Sequence, residues 1–129
     1  MDAYVADTMA VILWMERRRL PPKVKGIFHK VEIREVKLYI PAMVLLEVGY
    51  LSEKSRIEIT LQDAITYLNK QNVLIHPIDI DIIRNTFEIN DIPELHDRVI
   101  AASGKALGYP IITNDPKIIS SKFVSTFWE

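Results

Sequence analysis

Short apolar runs alternate with longer amphipathic ones along this whole chain. Residues 3–6 predict a short buried strand, closed by Asp7-Thr8, which can cap a helix running to about Arg18. Pro21-Pro22 breaks that helix, and the second proline suits the first turn of the next one. There Val24, Ile27, Phe28 and Val31 follow the i, i+3, i+4, i+7 spacing of one stripe. Residues 36–40 alternate like a strand and stop at Pro41, and the spacing then predicts a helix from Ala42 to Glu53. Val44, Val48 and Leu51 share its inner face, and Glu47 lies on that same face. Thr60-Leu61-Gln62-Asp63 has the form of a capping box, opening a helix with Ile65 and Leu68 inward. Residues 73–78 read as a third strand, followed by a helix from about Asp79 with Ile82, Ile83, Thr86 and Phe87 at helical spacing. Another helix begins near Glu94, carries Asp97 in its first turn and stops at Gly108. Residues 110–113 and 123–128 supply the last two strands.

Strands alternating with helices predict an α/β fold, a three-layer α/β/α sandwich with a mainly parallel central sheet. No repeat, low-complexity tract or linker interrupts it, so residues 1–129 are expected to form one domain.

Four acidic residues break this pattern: Asp7, Glu47, Asp97 and Asp115 each lie within or beside a run apolar enough to be core. An unpaired ionised carboxylate is expensive there. Taken singly, three have ordinary explanations. Asp7 is a helix cap, Asp115 before Pro116 a turn-and-cap residue, and Asp97 a first-turn acid favoured by the helix dipole. Glu47, inward at mid-helix, has none. In open α/β sheets, ligands collect outside the carboxyl ends of the strands. Asp7 and Asp115 both follow short strands, and the expected topology brings Glu47 and Asp97 to the same side. One shared countercharge then accounts for all four, and a hard divalent cation, Mg²⁺ or Mn²⁺, is the simplest. Metal-assisted phosphodiester hydrolysis is the natural chemistry of such a site. Thr113 is placed to orient a water or a ligand carboxylate, and Asn114 to act as a neutral supporting group.

Composition narrows the alternatives. The formal net charge of -1 removes any overall basic signal for nucleic acid, so a phosphate-binding surface must be local or work through a metal. The local basic stretch is Arg17-Arg18-Arg19 with Lys23 and Lys25, as consistent with RNA-backbone contact as with a solvated helix end. With 0 cysteines there is no disulfide, thiolate zinc site or cysteine nucleophile. His29 and His76 lack matching partners for a histidine-based site; His96 could serve as a base or ligand, but a lone histidine beside a loop reads more readily as structural or exposed. No glycine-rich phosphate loop exists. Asp91 and Glu94 read as solvated loop charge, one of which could extend the acidic site. Asp2 and Asp7 interrupt the first apolar stretch and no long uncharged apolar run follows, so a cytoplasmic protein with no membrane span is expected. Trp14, Met15, Met43 and Tyr50 add apolar bulk that suits either a dimer face or core packing.

Four segments resemble the PIN domain family, in that family's order: Tyr4-Val5-Ala6-Asp7-Thr8, residues 45–51 around Glu47, residues 92–102 around Asp97, and residues 110–115 ending in Asp115. The resemblance spans essentially the whole chain, and its nearest subgroup is the VapC-type toxin ribonucleases. It implies a PIN-like fold and a metal-dependent endoribonuclease acting on RNA. It further implies a homodimer and a cognate antitoxin whose C-terminal segment lies over the active-site groove. Carried over residue by residue, the family's acidic quartet falls on Asp7, Glu47, Asp97 and Asp115, with Thr113 as the supporting hydroxyl and Asp7 and Asp97 as principal metal ligands. Met9 departs from the polar residue common after Asp-Thr, and Ser103-Gly104 from a small apolar pair. Two other readings compete: a non-catalytic PIN-like module that binds RNA or protein, and a receiver-like phosphorylation domain, which lacks an acidic pair after its first strand.

Overall fold

A computed structural model describes residues 2–71 and 73–129. Its elements follow in the order β1 (Ala3–Ala6), α1 (Thr8–Met15), α2 (Pro22–Glu32), β2 (Lys37–Pro41), α3 (Ala42–Glu53), α4 (Leu61–Lys70), β3 (Val73–His76), α5 (Ile80–Glu88), α6 (Leu95–Leu107), β4 (Ile111–Ile112), α7 (Pro116–Ile119) and β5 (Thr126–Phe127). The five strands form one sheet in the order β3-β2-β1-β4-β5, and every pairing is parallel.

Strand alternation divides the core in two, because successive side chains point to opposite faces. Ala6, Leu38, Ile40 and Ile112 pack with α1, α2, α3 and α4 through Ile12, Phe28, Val44 and Leu68. Val5 and Ile111 pack with α5, α6 and α7 through Ile82, Ala101 and Ile118. The result is the expected three-layer sandwich, each fully buried Ile, Leu or Phe contributing roughly 1.5–3 kcal/mol.

Local chemistry sets the element ends. Asp7 caps α1, accepting from Ala10 N at 2.9 Å. The Thr60–Asp63 box forms in both directions, at 3.0 Å each way. Pro22 opens α2, and Gly108 closes α6 in the left-handed conformation at φ 74°. Three more helices close through a left-handed residue that is not glycine, each with a pair of backbone bonds. Arg17, Arg34 and Ser55 take φ of 52°, 64° and 56° after α1, α2 and α3. After α1, Arg18 N donates to Leu13 O at 2.9 Å and Arg17 N to Trp14 O at 3.2 Å, a Schellman motif.

The structure departs from the sequence expectation at α7, which was not expected, at α1, which ends at Met15, and in the coverage of β3 and α5. β3 is one edge of the sheet and is poorly covered, leaving Leu74 and Ile75 exposed. In α5 the inward residues are Ile82 and Thr86, whose hydroxyl donates to Ile82 O at 2.8 Å. Ile83 and Phe87 share the helical spacing but sit one position around the helix, in solvent.

Gly104 lies where α6 crosses β4, and a Cβ there would sit 2.5 Å from Ile111 Cγ1. Gly26 in α2 has nothing within 4 Å of that position. Alanine should therefore act with opposite sign at the two sites. We expect Gly104→Ala to destabilise by about 1–3 kcal/mol through overpacking, and Gly26→Ala to stabilise by about 0.5–1 kcal/mol through helix propensity. Urea unfolding of the two variants checks both; equal effects would contradict the packing of α6 on β4.

Candidate metal centre

The chain order reverses between β1 and β4, since β1 leads toward β2 on one side and pairs with β4 on the other. Such switch points create a crevice at the carboxyl edge of a parallel sheet. Asp7 follows β1 and is tied to the neighbouring strand by its N–H, which donates to Ile112 O at 3.1 Å. Thr113, next along from β4, is held by its N–H to Phe127 O at 3.2 Å and is fully buried. Its hydroxyl accepts from Asp115 N at 3.0 Å, which turns the chain so that Asp115 caps α7, accepting from Lys117 N at 2.9 Å. Glu47 comes from the middle of α3 and Asp97 from the first turn of α6.

All four predicted carboxylates line one cavity of about 230 Å³, together with Thr8, Glu94, His96, Asn114 and Lys117. Thr113 supports it from beneath through Asp7 and Asp115. The expectation that the four acids share one edge is met in the geometry.

Three participants were not legible as such. Thr8, expected only as part of a cap, donates its hydroxyl to Glu47 Oε1 at 2.7 Å. His96, set aside as structural or exposed, has Nε2 at 3.3 Å from Glu94, 3.5 Å from Asp97 and 3.8 Å from Glu47. Donor atoms of Glu94, His96 and Asp97 lie within 4.8 Å of one another. Lys117 is ion-paired with Glu94. The only available signal was position: His96 precedes Asp97, and Lys117 stands two residues after Asp115. Asp91 does not join the site. It accepts from Ser121 Oγ at 2.9 Å and Lys122 N at 2.8 Å, clasping the loop after α7.

Electrostatics separates the carboxylates. Burial pushes Asp7 up to about 6, and the neighbouring charges of Asp115 and Glu47 add to this, while hydrogen bonds from Thr113 and Ala10 pull the other way. Among the described residues, no Lys, Arg or His forms an ion pair with Asp7. Burial also pushes Asp97 up, against the adjacent His96 and reinforced by Asp115, Glu94 and Glu47. Lys117 offsets charge at the mouth but not at the floor. A buried carboxylate with two acidic neighbours and no positive partner fits a hard cation, and the oxygen-rich donor set suits one.

The PIN domain model matches residues 4–123, and the chain belongs to the PIN domain family. A search of curated proteins gives no match. Among solved structures, the chain is similar to VapBC2 from Rickettsia felis bound to a promoter DNA fragment, with 16% identity, TM-score 0.76, and 98% of this chain and 99% of that one covered. It is similar to DNA-bound VapBC from Salmonella typhimurium at 17% identity and TM-score 0.71, covering 98% of each chain. It also resembles FitAcB from Neisseria gonorrhoeae at 17% identity and TM-score 0.62, covering 96% of each. At these identities the likeness is one of fold.

The raised Asp7 sets a pH dependence for the metal-free protein. Between the unfolded value of 3.8 and the folded value of about 6, the native state holds a proton that the unfolded chain has released. Stability from this group therefore falls as pH rises through that window and is level above it, a loss of at most about 3 kcal/mol. In chelator, urea unfolding should show the parent chain losing stability from pH 5 to 7. Asp7→Asn, which can still cap α1, should make that loss smaller, leaving the part due to Asp97, and be the more stable at pH 7. A parent and variant with parallel pH profiles would contradict the burial of an uncompensated carboxylate.

Proposed function

We propose that this chain is a VapC-type endoribonuclease that hydrolyses RNA phosphodiester bonds with Mg²⁺ or Mn²⁺, the toxin of a toxin–antitoxin pair. The observation that carries this reading is the convergence of Asp7, Glu47, Asp97 and Asp115 on one cavity whose most buried member, Asp7, forms no ion pair among the described residues. Asp7 and Asp97, the two buried acids, are the direct ligands, and Glu47 and Asp115 complete the set. A bound divalent cation supplies countercharge to a phosphodiester oxygen and lowers the pKa of a water nucleophile.

The remaining roles belong to the chain itself. Thr113 holds Asp7 in one orientation by hydrogen bonding and fixes the turn that presents Asp115. Thr8 does the same for Glu47, which otherwise has rotational freedom at mid-helix. Lys117 and Asn114 stand at the rim, where a phosphate can be met by an ammonium and an amide. Met9, exposed beside the site, supplies no hydrogen bond there, so polar substrate contacts fall to the α7 side.

Protein partners suit the surface next to this cavity. Between α3 and α4 runs an apolar groove of about 620 Å³ lined by Leu45, Leu46, Tyr50, Leu61 and Ile65. Leu46, Tyr50 and His96 line the space that joins it to Glu47. We assign this groove to the antitoxin, in keeping with the toxin–antitoxin complexes among structures of this fold. A homodimer and a cytoplasmic site of action complete the reading. Trp14 does not serve a dimer face, being buried in the core against Phe28. No helix among the described residues is long and apolar enough to cross a membrane.

Asp7→Asn and Asp97→Asn should each lower cleavage of single-stranded RNA by at least about a hundredfold, as loss of metal-site groups commonly does, with circular dichroism unchanged. Mg²⁺ or Mn²⁺ should raise the melting temperature of the parent, by an amount equivalent to about 2.7 kcal/mol at a hundredfold excess over Kd, and leave both variants unmoved. Cleavage surviving in both variants would refute the catalytic assignment, and a folded parent showing neither cleavage nor a metal-dependent shift would favour a non-catalytic binding module.

A further inference from the structure

The basic stretch that the metal site does not use surrounds a second cavity, of about 590 Å³, at the far end of α1. Leu13, Trp14 and Phe28 give it an apolar floor, the Trp14 and Phe28 rings stacking at 4.5 Å and 14°. Arg17, Arg18 and Lys25 stand around it. Arg18 pairs with Glu16 at 3.4 Å, Lys23 with Glu129 at 3.0 Å, and His29 lies 3.8 Å from Glu32. Among the described residues, Arg17 and Lys25 belong to no such pair. Glu32 lies in the same cavity. Its Oε2 accepts from Trp14 Nε1 at 3.2 Å and from the Tyr67 hydroxyl at 3.3 Å. Its Oε1 lies 3.8 Å from His29 Nδ1 and accepts no hydrogen bond among the described residues, so it keeps acceptor capacity.

A ligand filling this space must bring an anion for Arg17 and Lys25, a flat apolar body for the floor, and an N–H donor for Glu32. A nucleotide carries all three: a phosphate, a heteroaromatic ring, and an exocyclic amine or ring N–H. The volume falls within the range of roughly 300–1,000 Å³ common to small-molecule sites. An amphipathic peptide without acidic side chains would satisfy the floor but not the unpaired cations. We propose that this cavity is a nucleotide-binding site, distinct from the metal centre and one length of α1, about 12 Å, away from it. The nucleotide is either free or one unit of an RNA strand. In the second case the cavity is an RNA-holding exosite, which rests on the ribonuclease reading.

The test is calorimetric titration of the full chain carrying Asp97→Asn, in chelator. Nucleoside monophosphates are titrated in one arm and a short single-stranded oligoribonucleotide in the other. Because neither cleavage nor metal enters the measurement, a failed ribonuclease assignment leaves its outcome intact. Saturable binding is expected, weakened roughly tenfold by Lys25→Gln and by Arg17→Gly through loss of a charge-assisted contact. Arg17→Gly suits the left-handed backbone at φ 52°, so the fold should survive it. Gly26→Leu, at a position open toward the cavity, should block binding by volume alone. Binding of monophosphates supports a free-nucleotide site, and binding of the oligoribonucleotide alone supports the exosite. No binding in either arm, or binding indifferent to all three substitutions, overturns the proposal.

Discussion

The parallel pairing of β1 with β4 is the contact on which the functional surface depends. It brings the residue after each strand, Asp7 and Thr113, to the same edge, and it does so through the backbone. Asp7 N donates into the ladder at Ile112 O, and its carboxylate accepts from Ala10 N at the start of α1. The side chain is thus bound at its base by the sheet and at its tip by a helix. It cannot swing to water without breaking one of them, so the cost of its burial is held in the fold.

That cost explains the arrangement around it. Thr113 is buried because its hydroxyl does two things at once, hydrogen-bonding Asp7 and accepting from Asp115 N. An isosteric valine would lose both. Thr8 restrains Glu47, and Lys117 brings positive charge to the mouth where Glu94, Asp97 and Asp115 crowd around the His96 imidazole. The floor has no such compensation. Like-charged carboxylates held in one pocket disfavour their own ionisation, and a folded chain that keeps them there trades stability for a ready cation site.

Much of the frame was readable in order along the chain. Local rules decide those features: the Thr60–Asp63 box, Pro22 opening α2, Gly108 closing α6 and the bounds of α3 each depend on residues within a few positions. Reading failed where a neighbour in space decides. Residues 73–76 look like core strand from their composition, yet β3 is an edge that the helices leave open. Ile83 and Phe87 match helical spacing as well as Ile82 and Thr86 do, and only the position of α6 selects the inward pair. His96 has Glu94 and Asp97 beside it in sequence, but its approach to Glu47 of α3 depends on packing between helices.

By itself, the sequence determined the α/β alternation, the four carboxylates that apolar surroundings made anomalous, and their likeness to one family. Hydrophobic periodicity and capping act over a few residues and leave their mark there. The tertiary structure alone decided which side chains complete the cavity, that Asp7 lies at its floor without a cation while Lys117 and His96 hold the mouth, and that the basic stretch after α1 surrounds an aromatic-floored cavity. These are contacts between residues far apart in the chain, such as Thr8 with Glu47, and strand pairing and packing create them.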